Sequence, residues 1–414
     1  MSSLSRRCSL SLFMAFIVLN CLPMGARSSA AEPAGPRQLF FTSQGKTALI
    51  NADGTGLKYF DFKVPNQATW QPGPSFPDQK RVIFLSMEPR RDGPGKPFDE
   101  YYTQTPTHIW LHDLQTGSLD ELCTKDRICP FETPALLVGE DRLLVQVVKN
   151  RVGWITSMKL DGSDAKDFTK PGEGLPYGFS LSPDRKRVAF HLAGPPGYQV
   201  YTSDIDGSNR TLIASQAGHL FFGPVWSPDG KWLAYIDCVP GEDPGHDWGE
   251  ICVGRPDGSQ HKVLTKGKAM WFAATYGIPG TKGGGSNLPA WTNDGKILFP
   301  MRSPGSEVVW QYRVGKPDLD HFNRDYKPEA SKGGVHLVKM DPETGAITEL
   351  TKPTEKIWDF RVSESPDAKQ IVFCRAPVGD VPSIWVMDPD GKNARPITKG
   401  IDNKGVDHPR WVGK

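Results

Sequence analysis

The stretch "VWSPDGKWLAYIDC" (225–238) sets the pattern of the chain: an aromatic, a Ser-Pro-Asp-Gly-Lys turn, then an apolar run of strand length. Its relatives are "FSLSPDRKRVAF" (179–190), "AWTNDGKILF" (290–299) and "VSESPDAKQIVF" (362–373), with weaker copies in "SFPDQKRVIF" (75–84) and "LVGEDRLLVQV" (137–147). Each reads as a strand, a tight turn and a second strand. A second signature, an apolar strand ending in Asp-x-Asp-Gly or a variant, places turn glycines at Gly54, Gly117, Gly162, Gly207, Gly258, Gly345 and Gly391. Successive gaps of 63, 45, 45, 51, 87 and 46 residues describe a period near 45 with insertions. After most of these turns comes a short strand ending near Leu-Thr, as in "KVLTK", "ITELTK" and "RPITK".

The unit is therefore four strands, joined by a Pro-Asp-Gly turn, a variable loop and an Asp-Gly turn. One such sheet cannot cover its own apolar faces, but a ring of them can. The predicted fold is all-β, a seven-bladed β-propeller of four-stranded antiparallel blades. Six or eight blades are the alternatives if a weak copy is misread. The first copy lacks its opening strand, and "HPRWVGK" (408–414) supplies it, so N- and C-terminal strands are expected to close the ring.

Composition agrees: 43 Gly, 37 Pro and 10% aromatics suit short strands and turns. Residues 1–31 stand apart, with Arg6 and Arg7 before an apolar stretch from Leu10 to Leu22 and small residues at 28–31. This reads as a signal peptide, too short in its apolar run to span a bilayer. The mature chain, a single domain over 38–414, is then expected to be periplasmic or secreted with no transmembrane segment. Losing Arg6, Arg7 and Arg27 takes the formal charge from +2 to −1, which gives no electrostatic reason to expect nucleic acid. Five cysteines remain, Cys123, Cys129, Cys238, Cys252 and Cys374. Export permits disulfides, and Cys238 and Cys252 on successive strands are expected to pair; buried thiols are the alternative.

The phrases Pro-x-Trp-Ser-Pro-Asp-Gly-Lys (224–231) and Ile-Trp-Val-Met-Asp-Pro-Asp-Gly (384–391) resemble the repeats of TolB-type propellers over residues 38–414. TolB-like proteins add an N-terminal α/β domain and usually have six blades; neither is seen in this sequence. The repeats also resemble those of oligogalacturonate lyases, a resemblance that implies a metal and a catalytic histidine on one face. Of that family's His-Pro-His-Pro-type motif only "DHPRW" stands here, with Val406 in place of the second histidine, so His408 alone carries over.

The longest insertions, 87–107, 239–249, 270–287 and 302–334, fall in loops of one face, where binding residues usually lie. The residues marked for ligand contact are Trp248, Trp271, Asn287, Arg324, Arg361 and Arg410, with His219, His321 and His408 as candidate bases. "DLDHFNRD" (318–325) offers Asp318, Asp320 and His321, which with His408 are the candidate ligands of a possible divalent metal. The alternative at each aromatic is simple packing, and at 318–325 a solvated polar insertion. No Gly-x-Ser-x-Gly nucleophile elbow and no phosphate loop is present. Three functions are expected, in this order. The first is an exported propeller binding a glycan or protein ligand. The second is a metal-assisted polysaccharide lyase. The third is an accessory propeller of a cell-envelope complex.

Overall fold

The Ser-Pro-Asp turn makes its own hydrogen bonds, and this explains its recurrence. Ser227 Oγ donates to Asp229 Oδ1 (2.7 Å) and accepts the Trp232 N–H (2.9 Å), while Asp229 Oδ1 accepts the Lys231 N–H (3.1 Å). Ser182 with Asp184 and Ser365 with Asp367 repeat the arrangement. Three side-chain bonds thus hold each hairpin through local partners alone. The Leu-Thr phrase has an equally local role. Thr169, Thr265, Thr351 and Thr398 each accept, through Oγ1, the backbone N–H of the residue fourteen positions earlier at 2.8–2.9 Å. At the second signature, Gly391 has φ +86°, and a Cβ there would lie 2.3 Å from the Leu350 carbonyl oxygen. Only glycine fits.

The computed structural model describes residues 37–43, 46–60, 68–76, 78, 80–87, 107–123, 135–136, 142–150, 152–239, 247–276, 283–312, 324–327, 329–401 and 405–412. The chain divides into Met1–Gly35 and Pro36–Lys414. The first unit, with the expected signal peptide, lies outside the described residues. No helix is found among those described, and none is long and apolar enough to cross a membrane.

Strands pair in antiparallel sets of four in chain order, for example Leu175–Leu181, Arg187–Ala193, Gln199–Asp204 and Thr211–Ala214. Further sets begin at Ala68–Ser75, Ala135–Leu136, Leu220–Trp226, Ala290–Trp291 and Ile357–Glu364. The last three of these sets are linked by the pairs Trp248↔Trp271, Met270↔Met301 and Val335↔Trp358. One set joins both ends of the chain. Its order is Lys58–Tyr59, Lys46–Asn51, Gln38–Ser43 and Val406–Trp411, with Leu39 opposite Trp411 and Phe40 opposite Arg410.

Alternation along each strand sends side chains to two faces, and both faces are apolar. Phe40 packs with Phe84 of the following set, whereas its neighbour Phe41 packs with Phe360 and Cys374. Ile83 meets Leu143 and Val145, Leu144 meets Val188 and Phe190, and Ala189 meets Phe221 and Tyr235. Phe222 meets Phe299, and Leu298 meets Phe373. The core is thus a series of layers between successive sheets. Tryptophan indoles tie the first strands of neighbouring sets together. Trp226 donates to Ser180 O (3.2 Å), Trp291 to Val225 O (2.9 Å) and Trp411 to Ser363 O (3.2 Å).

The expected Cys238–Cys252 disulfide is not formed; both are buried thiols. The ladder gives the reason. Tyr235 stands opposite Cys252, so Cys238 is displaced by three positions and points to the other face. Cys238 packs in the layer with Phe299, Cys252 in the layer with Phe221.

Candidate functional site

The first strand of several sets carries a bulge. Pairing slips between Tyr177 and Ser180, between Phe222 and Val225, between Phe360 and Ser363, and where Asp407 and Arg410 face Thr42 and Phe40. The residue inside each slip has positive φ: Gly178 at +61°, Gly223 at +54°, Arg361 at +54° and His408 at +55°. Glycine tolerates this backbone, but arginine and histidine pay about 1–2 kcal/mol for it. Strain held in two of the equivalent positions marks the region of Arg361 and His408 as a place to look for function.

The residue before the bulge changes character there too. It is Tyr177, Phe222 or Phe360 in three strands, but Asp407 in the C-terminal one. Aligning "NLPAW" with "FGPVW" puts Asn287 at the same position. Both polar residues act on Arg361. Asn287, buried, accepts the Arg361 backbone N–H through Oδ1 (3.3 Å) and donates to the Trp271 carbonyl (2.9 Å). Asp407 takes the guanidinium, with Nε to Oδ1 at 2.9 Å and Nη2 to Oδ2 at 3.5 Å.

Asp407 is the centre of this arrangement. Its Oδ1 also accepts the His408 backbone N–H (2.7 Å) and faces the Cys374 thiol (3.7 Å), and its Oδ2 lies 3.1 Å from His408 Nδ1. Thr42 anchors its carbonyl (3.0 Å). Side-chain exposures are 10% for Arg361, 11% for Asp407 and 27% for His408. Burial lowers the Arg361 pKa to about 10 and raises that of the Cys374 thiol to about 12. Burial, and then the charge of Arg361, hold His408 below the usual imidazole range, with Asp407 opposing them. Burial also lowers the pKa of Arg410, and among the described residues no carboxylate pairs with it.

Other expected site residues lie elsewhere or serve differently. His219 is not part of the Asp407 network. Its Nδ1 lies 2.9 Å from both oxygens of Asp237, and its Nε2 meets the Gln216 amide (2.6 Å). Burial raises the pKa of Asp237 against the opposing influence of His219. Trp248 and Trp271, expected to present faces to a ligand, are 6% and 1% exposed. They pack with Trp358, the Trp271–Trp358 centroids being 4.6 Å apart, so neither ring is available as a platform. Asp318, Asp320 and His321 lie outside the described residues, as does the side chain of Arg324.

Of the candidate metal ligands only His408 lies within the described residues, and its surroundings there are cationic. His408 stands beside two guanidinium groups, Asp407 is committed to Arg361, and no group of three His, Cys, Asp or Glu able to hold a metal occurs among the described residues. Sequence reasoning missed Asp407. The available signal was the change from aromatic to acidic residue at one fixed repeat position.

No protein-family profile and no curated protein matches the sequence. Solved structures do. An oligogalacturonate lyase in complex with manganese is 15% identical, with TM-score 0.51 over 87% of this chain and 85% of that one. The β-propeller domain of the Trilobed protease from Pyrococcus furiosus is 13% identical, with TM-score 0.52 over 88% and 96%. TolB from Acinetobacter baumannii is 15% identical, with TM-score 0.45 over 70% of this chain, which spans 62% of that protein. At these identities the likeness speaks for the fold alone: the two structures with TM-scores above 0.5 give the chain a β-propeller architecture.

Proposed function

We propose that this chain is an exported, seven-bladed β-propeller that binds an anionic glycan where its innermost strands meet. Seven blades are supported by four separate four-stranded sheets and three linked sets. The apolar layers also succeed one another around the series and return to the set that joins both chain ends. Export is supported by the character of residues 1–31.

The observation that carries the ligand reading is Arg410. Its side chain is partly buried, burial disfavours its charge, and no carboxylate balances it among the described residues. Such a charge is satisfied by an anion from outside. Arg361 differs, because Asp407 already neutralises it. Titration calorimetry with oligogalacturonate against a neutral oligosaccharide tests the reading. Arg410→Ala should weaken oligogalacturonate binding by about tenfold or more while leaving the melting temperature near wild type. Unchanged affinity would remove the glycan reading and leave recognition of an envelope protein in its place.

A lyase is the second reading, favoured by one observation. Burial and Arg361 keep His408 neutral near pH 7, so it can accept a proton from carbon next to a carboxylate gripped by Arg410. Ultraviolet absorbance from unsaturated products of oligogalacturonate distinguishes lyase from binder.

A further inference from the structure

The sequence marks Arg361 and Arg410 alike as ligand contacts, but the structure gives them different work. Arg361 is held at both ends, its backbone N–H on Asn287 and its guanidinium on Asp407. The Arg361 Nε and the His408 N–H both bond Oδ1 of Asp407, and Oδ2, 3.5 Å from Arg361 Nη2, also faces His408 Nδ1 at 3.1 Å. A bare nitrogen lone pair opposite a carboxylate oxygen at that distance is repulsive, whereas Nδ1–H is a hydrogen bond. We infer that Asp407, locked by Arg361, is the positioning residue of this site: it fixes the His408 proton on Nδ1 and leaves Nε2 as an acceptor, so the ligand carries a hydroxyl donor beside its anionic group.

The choice of ligand class follows from the pairing of two neighbouring groups. Arg410 offers donors and a positive charge. Neutral His408 offers an acceptor two residues away on the same strand. A polyanion without hydroxyls satisfies only the first; a sugar acid satisfies both. Cys374, also against Asp407, does not compete for this role, since burial keeps its thiol protonated. The ligand class rests on the anion-binding reading above, but the tautomer does not.

The test uses the mature full-length chain labelled with nitrogen-15 at histidine. Long-range proton–nitrogen correlation on the ligand-free protein near neutral pH should show His408 with its proton on Nδ1 and Nε2 bare. Asp407→Asn should shift population toward the Nε2–H form, because an amide nitrogen can turn toward Nδ1 as a donor. Arg361→Lys, which keeps the charge but loses the guanidinium fork, should give a smaller shift, and it serves if Asp407→Asn does not fold. Calorimetry then compares oligogalacturonate with polyaspartate. Asp407→Asn should weaken the sugar acid by about tenfold and the polypeptide little. A proton on Nε2 in the wild-type protein overturns the inference. Equal weakening of both polyanions by Asp407→Asn overturns it as well, because Asp407 would then support the site only as scaffold. If neither polyanion binds, the anion reading and the ligand class fall together, while the wild-type tautomer still decides the role of Asp407.

Discussion

Lowering the pH from 8 to 5 should destabilise this protein through His191 in particular. The side chain is 1% exposed, and its Nδ1 accepts the N–H of Gly223, the bulge residue of the next set (3.3 Å). Protonation would destroy that acceptor and place a charge among Tyr198 and Phe222, whose rings lie 6.0 and 5.5 Å away. Burial accordingly lowers the His191 pKa from 6.5 to about 3. Below pH 6.5 the unfolded chain takes up a proton that the folded chain refuses, so stability is full above 6.5 and falls toward 3. At pH 5 the linkage integral for these values is about 2 kcal/mol. Urea unfolding at pH 8 and pH 5, for wild type and His191→Asn, isolates the contribution. The asparagine oxygen can still accept from Gly223, and its cost from lost packing is the same at both pH values. His112, His261, His336 and His408 also have lowered pKa values, but they are common to both proteins and cancel. Wild type should lose about 2 kcal/mol more than the variant between the two conditions. Parallel pH dependences would refute the reasoning, because His191 would then be free to charge in the folded state.

Thr398→Val should cost about 1–3 kcal/mol in urea unfolding, since it leaves the Ile384 N–H buried without its 2.9 Å acceptor. Thiol titration of unreduced protein in denaturant should find both Cys238 and Cys252 reactive, and a mass-mapped bridge between them would contradict the register of Tyr235 against Cys252.

The repeat was legible because its determinants are short-range. A Ser-Pro-Asp-Gly turn bonds to itself within five residues, a Leu-Thr phrase bonds to a strand fourteen residues away, and a turn glycine is required by its own φ. These signals repeat, so they reveal the four-stranded unit, and the incomplete first copy reveals the pairing of Gln38–Ser43 with Val406–Trp411. His408 and Arg361 could also be placed on first strands from the repeat alone.

What those residues do there was decided by contacts across sets. Asp407 looks like any acidic residue beside a histidine until a bulge turns His408 to φ +55° and Arg361 arrives from a strand 46 residues earlier. Trp248 and Trp271 sit in long insertions with the composition of a binding loop, yet pairing with one another and packing against Trp358 draws them into the core. Cys238 and Cys252 lie on adjacent strands as expected, but a displacement of three positions puts them on opposite faces, and only the register fixes that parity. Turn chemistry is written in consecutive residues, so the sequence by itself determined the strands and their order. Bulge position, register parity and the meeting of distant strands depend on the packed sheets, so the tertiary structure alone decided which side chains converge.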